Sequence, residues 1–149
     1  MIDQGGGYII NIASAASFSN APYMSAYNVT KAAVRSLSES LYHELKPHNI
    51  GVSAVMPTFF QTNIMQHARG PKANHIFAKK MMERSKTSAS EVAMEVLVKA
   101  GKGKMEIVLP QDARTNFFIK KFFPKFFERQ LTKMVEFQKK IEASLQKQS

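Results

Sequence analysis

Three side chains near the start of the sequence have the chemistry needed to pass a proton to or from an oxygen: Ser14, Tyr27 and Lys31. In Tyr27-Asn28-Val29-Thr30-Lys31 the phenol and the ammonium stand four residues apart, which makes them neighbours on one helix face. A phenol ionises near about pH 10, too high for efficient proton exchange at neutrality. Lowering it by roughly three units takes about 4 kcal/mol. A unit positive charge some ~4 Å away supplies that amount at an effective dielectric near ~20. A lysine one turn from a tyrosine is therefore of the right magnitude to tune it. A serine hydroxyl nearby would orient a carbonyl oxygen and stabilise charge forming on it. This set suits hydride transfer between a carbonyl and an alcohol, where an alkoxide needs a proton donor and the reverse step needs a base.

The elements that must position these groups are legible in outline. Gly7 to Ala13 is an apolar run after a glycine turn and predicts a buried strand. Ser14 follows at its carboxyl end, the rim where open parallel sheets bind ligands. Asn20-Ala21-Pro22 suggests a helix start, with Asn near the cap and Pro in the first turn. The helix would run to about Lys46, burying Val34, Leu37, Leu41 and Leu45, and end at Pro47. Ile50 to Met56 is a second strand closed by Pro57, Ser90 to Ala100 a helix, and Met105 to Leu109 a third strand. Alternating strands and helices predict an α/β fold with a parallel sheet and crossover helices. Doubly wound sheets usually have about six strands in two halves. Three strands read as the C-terminal half of such a Rossmann-like sheet, with an apolar edge exposed on the first strand unless something pairs with it. Gly5-Gly6-Gly7 precedes a strand, whereas a phosphate-binding glycine loop follows one, so it reads as a turn.

These segments resemble the short-chain dehydrogenase/reductase family. Gly7-x-Ile9-Ile10-Asn11-Ile12-Ala13-Ser14 is similar to the family's fifth strand and catalytic serine, 13 residues before the tyrosine. Pro22 followed by Ala26-Tyr27-x-x-Thr30-Lys31-Ala32-Ala33-Val34 is similar to its catalytic helix, and Val52 to Thr62 to its sixth strand and following loop. Each of the three residues alone would be unremarkable in its position, and the joint match over residues 7–62 carries the reading. The resemblance implies an NAD- or NADP-dependent enzyme with Ser14, Tyr27 and Lys31 as catalytic groups. It also implies that Tyr27 and Lys31 contact the nicotinamide ribose, that Pro57 and Phe60 line the nicotinamide, and that Thr62 meets its carboxamide. Thr58 departs from the pattern, which has glycine there. The family's glycine-rich turn, its selector of NAD or NADP and its active-site asparagine have no counterpart in this sequence. We therefore expect a fragment of a longer enzyme, homo-oligomeric when whole, acting on a small carbonyl or alcohol. A non-catalytic remnant that binds a protein or a membrane is the alternative.

Phe59 to Lys86 covers the family's variable substrate segment. It mixes Ile64, Met65, Ile76, Phe77, Met81 and Met82 with Arg69, Lys72, Lys79, Lys80, Arg84 and Lys86. An apolar substrate with a peripheral anion would suit that mixture, and a solvated cationic helix face explains it at least as well.

Residues 1–112 thus form a catalytic half-domain, and 113–149 a basic tail. The tail holds nine Lys/Arg against three Asp/Glu, so it carries +6 of the net charge of +10, together with seven of the 11 phenylalanines. Its apolar residues suggest one broad helical face with Lys121, Lys125, Arg129 and Lys139 opposite, and Pro124 kinks or restarts the helix. Such a helix would pack within the protein or lie on a membrane surface. Charge without zinc-finger spacing or an RNA-binding aromatic signature does not make a nucleic-acid binder. His43, His48, His67 and His75 show no metal-ligand spacing, so no metal is expected. There are no cysteines, no secretory leader and no apolar stretch of about 20 residues. The expected location is the cytoplasm, with a peripheral membrane contact left open.

Overall fold

Residues 1–64 and 71–146 are described by a computed structural model. Met65, His67 and Arg69 lie outside the described residues. In chain order the elements are β1 (Gly7–Ile12), α1 (Ala16–Ser19), α2 (Ser25–Leu45), β2 (Ile50–Pro57), α3 (Lys72–Arg84), α4 (Ala89–Gly101), β3 (Glu106–Leu109), α5 (Gln111–Phe122) and α6 (Pro124–Gln146). The strands form one parallel sheet in the order β1-β2-β3, with β2 at its centre. The register sets Tyr8 beside Gly51 and Ile12 beside Val55, then Val55 beside Ile107 and Met56 beside Val108.

Strand residues alternate between the two faces of a sheet, and here both faces are covered. Val55, Ile107 and Leu109 pack with Val92, Val96 and Ala100 of α4. On the other side Met56 packs with Ala13, Ala15 and Phe18, and Val34 of α2 and Phe117 of α5 close over them. The fold is the helix-covered parallel sheet expected from the strand and helix order.

Local chemistry fixes the details. The ring of Tyr8 lies across Gly51, where an added Cβ would come within 2.2 Å of Tyr8 Cε2. From there the Tyr8 hydroxyl meets Ser53 Oγ at 2.8 Å, and Ser53 Oγ donates to Lys104 O at 2.6 Å. Glycine at 51 is thus what lets β1 and β2 share a buried hydroxyl network. On the α2 side, Asn11 Nδ2 donates to Ser38 Oγ at 3.0 Å. Ser38 is fully buried.

Two expectations about α2 need correction. It begins at Ser25, because Asn20 (φ 54) and Tyr23 (φ 61) both adopt left-handed backbone and break the chain around Pro22. Asn20 closes α1 instead of opening α2. The inward stripe is Val34, Ser38, Leu41 and Leu45, while Leu37 is 55% exposed. The polar Asn11 on the facing strand selects a hydroxyl at position 38, and Leu37 falls one residue outside the contact.

Helix α4 carries a reciprocal cap. Ser88 Oγ accepts from Glu91 N at 3.3 Å, and Ser88 N donates to Glu91 Oε2 at 2.7 Å. Hydrogen bonds from the Ser88 backbone and then its side chain hold the Glu91 carboxyl below the usual carboxylate range.

Two outcomes follow for stability. Gly51→Ala should expel the Tyr8 ring and cost about 2–3 kcal/mol by overpacking and loss of the hydroxyl network, read as a lower urea midpoint. A lowered carboxylate pKa stabilises the fold fully above the ordinary glutamate value of about 4.3. The gain is lost as pH falls through the lowered value. The Tm gap between the parent and Glu91→Gln should therefore close on acidification, and a gap surviving well below that range would refute the cap's role.

Candidate active site

The crossover from β1 through α2 to β2 brings the three proposed groups to the carboxyl end of the sheet. Ser14 lies two residues beyond β1, where its Oγ accepts from Ala16 N at 3.2 Å. That bond uses a lone pair and leaves the hydroxyl hydrogen free to donate. Lys31 Nζ donates to Ile12 O at 3.1 Å, which ties α2 to the last residue of β1. The same ammonium stands 5.8 Å from the centroid of the Tyr27 ring. Tyr27 is 41% exposed, and its hydroxyl has no hydrogen-bond partner among the described residues. Phenol and ammonium are thus neighbours, with the phenol end open.

The loop before α2 is held from two directions. Asn28 Nδ2 donates to Ala21 O at 2.9 Å, and Asn74 Nδ2 of α3 donates to Tyr23 O at 3.3 Å. Left-handed backbone at a tyrosine is costly, on the order of 1–3 kcal/mol, and persists only where its surroundings enforce it. These two amides supply that enforcement one turn before Tyr27.

Pro57 ends β2, and Thr58 N donates to Leu109 O at 2.8 Å. The Thr58 hydroxyl oxygen is buried with no partner among the described residues. Phe60 turns toward the Val55–Leu109 core. Gln61 is fixed by Gln61 N donating to Thr87 O at 2.9 Å and Gln61 Nε2 to Ser85 O at 3.0 Å. Thr62 is half-buried just beyond this anchor.

The wall beside this loop joins residues too far apart in the chain for any local pattern to show. Phe59 meets Phe77 of α3 edge to face at 5.9 Å, and Phe77 meets Phe137 of α6 at 6.1 Å. Gln138, 1% exposed, donates from Nε2 to Asn74 Oδ1 at 3.2 Å. The polar line Gln138–Asn74–Tyr23 joins the tail to the loop before the tyrosine. Its members are 64 and 51 positions apart, beyond the reach of any local pattern. A separate cavity of about 330 Å³ opens between α4, β3 and α5, lined by Lys99, Glu106, Arg114 and Phe117 among others. None of Ser14, Tyr27 or Lys31 borders it.

Comparison with known proteins agrees with this architecture. The family model described as short chain dehydrogenase matches residues 1–73. Dehydrogenase/reductase SDR family member 7B of Mus musculus is 28% identical over 109 residues, covering 73% of this chain and 34% of that protein. The 2-dehydro-3-deoxy-D-gluconate 5-dehydrogenase of Dickeya dadantii is 42% identical over 69 residues, covering 46% of this chain and 27% of that enzyme. Among solved structures, a short chain dehydrogenase/reductase from Burkholderia phymatum in complex with NAD superposes with a TM-score of 0.65 at 27% identity. That match covers 72% of this chain and 44% of the other. The chain therefore spans less than half the length of these three relatives. Through residues 1–73 it belongs to the short-chain dehydrogenase family.

Proposed function

We propose that this chain is the proton-handling half of an oxidoreductase that interconverts a carbonyl and an alcohol with NAD or NADP. The observation that carries this reading is the bond from Lys31 Nζ to Ile12 O. It sets the ammonium beside Tyr27 at the end of the strand that leads to Ser14.

A nicotinamide dinucleotide, when bound, supplies or accepts the hydride. The chain's own groups do the rest. Ser14 donates its free hydroxyl hydrogen to the substrate oxygen and fixes its direction. Tyr27 gives a proton to that oxygen during reduction and takes one during oxidation. Lys31 keeps positive charge beside the phenol and has N–H donors left over for a ribose hydroxyl. The residues suit such a cofactor. The rim at the ends of β1 and β2 is polar, and the unpartnered Thr58 hydroxyl oxygen lies at the start of the loop. Pro57, Phe60 and Thr62 would form the nicotinamide side of the crevice. Phe59, Phe77 and Phe137 would form an apolar substrate wall, which favours an apolar carbonyl compound. The pyrophosphate-binding half would be supplied by further chain that pairs with the open edge of β1. The activity therefore belongs to a longer enzyme.

In that longer enzyme, Tyr27→Phe should lower kcat by at least about 100-fold while the fold, read by circular dichroism, stays as in the parent. Undiminished turnover would remove Tyr27 from the mechanism. Phe77→Ala should raise KM for apolar ketones with a much smaller change in kcat, the mark of lost binding shared by ground and transition states. An unchanged KM would show that the aromatic wall does not meet substrate.

A further inference from the structure

The tail does not form one broad apolar face. Phe127 and Ile141 of α6 are buried, and Phe117 packs edge to face on Phe18 at 4.9 Å. Phe118, Phe122, Phe123 and Phe126 instead point outward at the corner between α5 and α6, each 54–61% exposed. Every residue from Lys121 to Phe126 is exposed. Phe118 and Phe122 lie ring to ring at 4.3 Å, so they form one apolar knob.

The charges at this corner have a single sign. No Asp or Glu occurs between Ala113 and Phe127, against Arg114, Lys120, Lys121 and Lys125. Arg114 is engaged by Glu95, and Lys120 donates to Phe18 O, anchoring α5 to α1. Burial, and then the charge of Arg35, push the Lys120 ammonium below its ordinary value. That leaves Lys121 and Lys125 to face outward, with Lys121 Nζ 5.5 Å from the centroid of the Phe122 ring. Lys121 is therefore on the same side as Phe122, contrary to the expectation that it lies opposite.

We propose that this corner is a membrane-surface contact that inserts Phe122, Phe123 and Phe126 into an anionic bilayer while Lys121 and Lys125 meet the lipid phosphates. An apolar knob with Lys121 and Lys125 beside it suits a partner with an apolar interior and an anionic skin, and an acidic bilayer has both. A second copy of this chain would bring the same lysines against each other across a two-fold contact. No helix among the described residues is long and apolar enough to cross a membrane, so the contact is made from the surface. The α5 helix packs on β3, at the opposite edge of the sheet from β1. A chain segment paired with β1 therefore joins the sheet at its other edge.

The test is flotation of the 149-residue chain with vesicles of phosphatidylcholine alone or mixed with phosphatidylserine. Binding should require phosphatidylserine and weaken with salt. Phe122→Ser together with Phe126→Ser should lower the partition at least about tenfold, with the circular dichroism spectrum unchanged because both rings are exposed. Lys121→Gln and Lys125→Gln should each lower it about fivefold. Equal flotation of the parent and the phenylalanine variant would overturn insertion and assign any binding to charge or to the open β1 edge. Sedimentation gives the other contrary result: a dimer dissolved by the phenylalanine changes, with vesicle binding absent, would make a second copy the occupant.

Discussion

Parallel strands cannot be joined by a tight turn, so pairing β1 with β2 obliges the chain to cross over the sheet. That crossover is α2, and the rest of the site depends on it. The helix leaves from the carboxyl end of β1, so its first turns lie over the rim where Ser14 emerges. Tyr27 and Lys31 are in those turns. The bond from Lys31 Nζ to Ile12 O then locks the helix to the strand it came from. Sheet connectivity thus does the positioning, and the Ser38–Asn11 bond sets how the helix lies on the sheet. An apolar residue at 38 would leave the Asn11 amide without this partner in a half-buried place, which costs more than an unmade bond on the surface.

The same connectivity leaves the two edges of the sheet unequal. At one edge, β3 is followed directly by α5, which packs against it and against α1. At the other, β1 has no further strand among the described residues, and Ile12 is 55% exposed. An apolar strand with unpaired backbone groups invites another strand. Ser14 follows β1 closely and Lys31 is bonded to the last residue of that strand, so the candidate site lies beside the open edge.

Much of this was legible because the governing signals are local. Mainly apolar runs of five to seven residues bounded by glycine or proline marked all three strands, and the four-residue spacing of Tyr27 and Lys31 marked a shared face. The start of α4 was also legible, since Ser88-x-x-Glu91 is a capping-box pattern. The helix was expected from Ser90 and begins one residue earlier, at Ala89. The start of α2 was misplaced for a different reason. Asn20 and Pro22 are good helix openers by type, but Tyr23 is held left-handed by a bond from Asn74, and no local rule anticipates that. In the tail, type and spacing could not tell inward phenylalanines from outward ones, because the break before Pro124 resets the helical phase between Phe122 and Phe126.

The tail links the two ends of the molecule. Its inward residues reach the site: Phe137 extends the stack that begins at Phe59, and Gln138 holds Asn74, which holds Tyr23. A nearly fully buried glutamine whose Oε1 has no partner among the described residues is an expensive choice for a helix that only needs to cover apolar surface. A leucine would pack there at lower cost. What the amide adds is direction, because it fixes α3 against the loop whose left-handed tyrosine precedes α2. The outward residues lie at the other end of α6, about three turns away. One helix therefore spans from the aromatic wall of the proposed crevice to the exposed phenylalanine corner. Whatever meets that corner presses on an element linked through Asn74 of α3 to the loop before Tyr27.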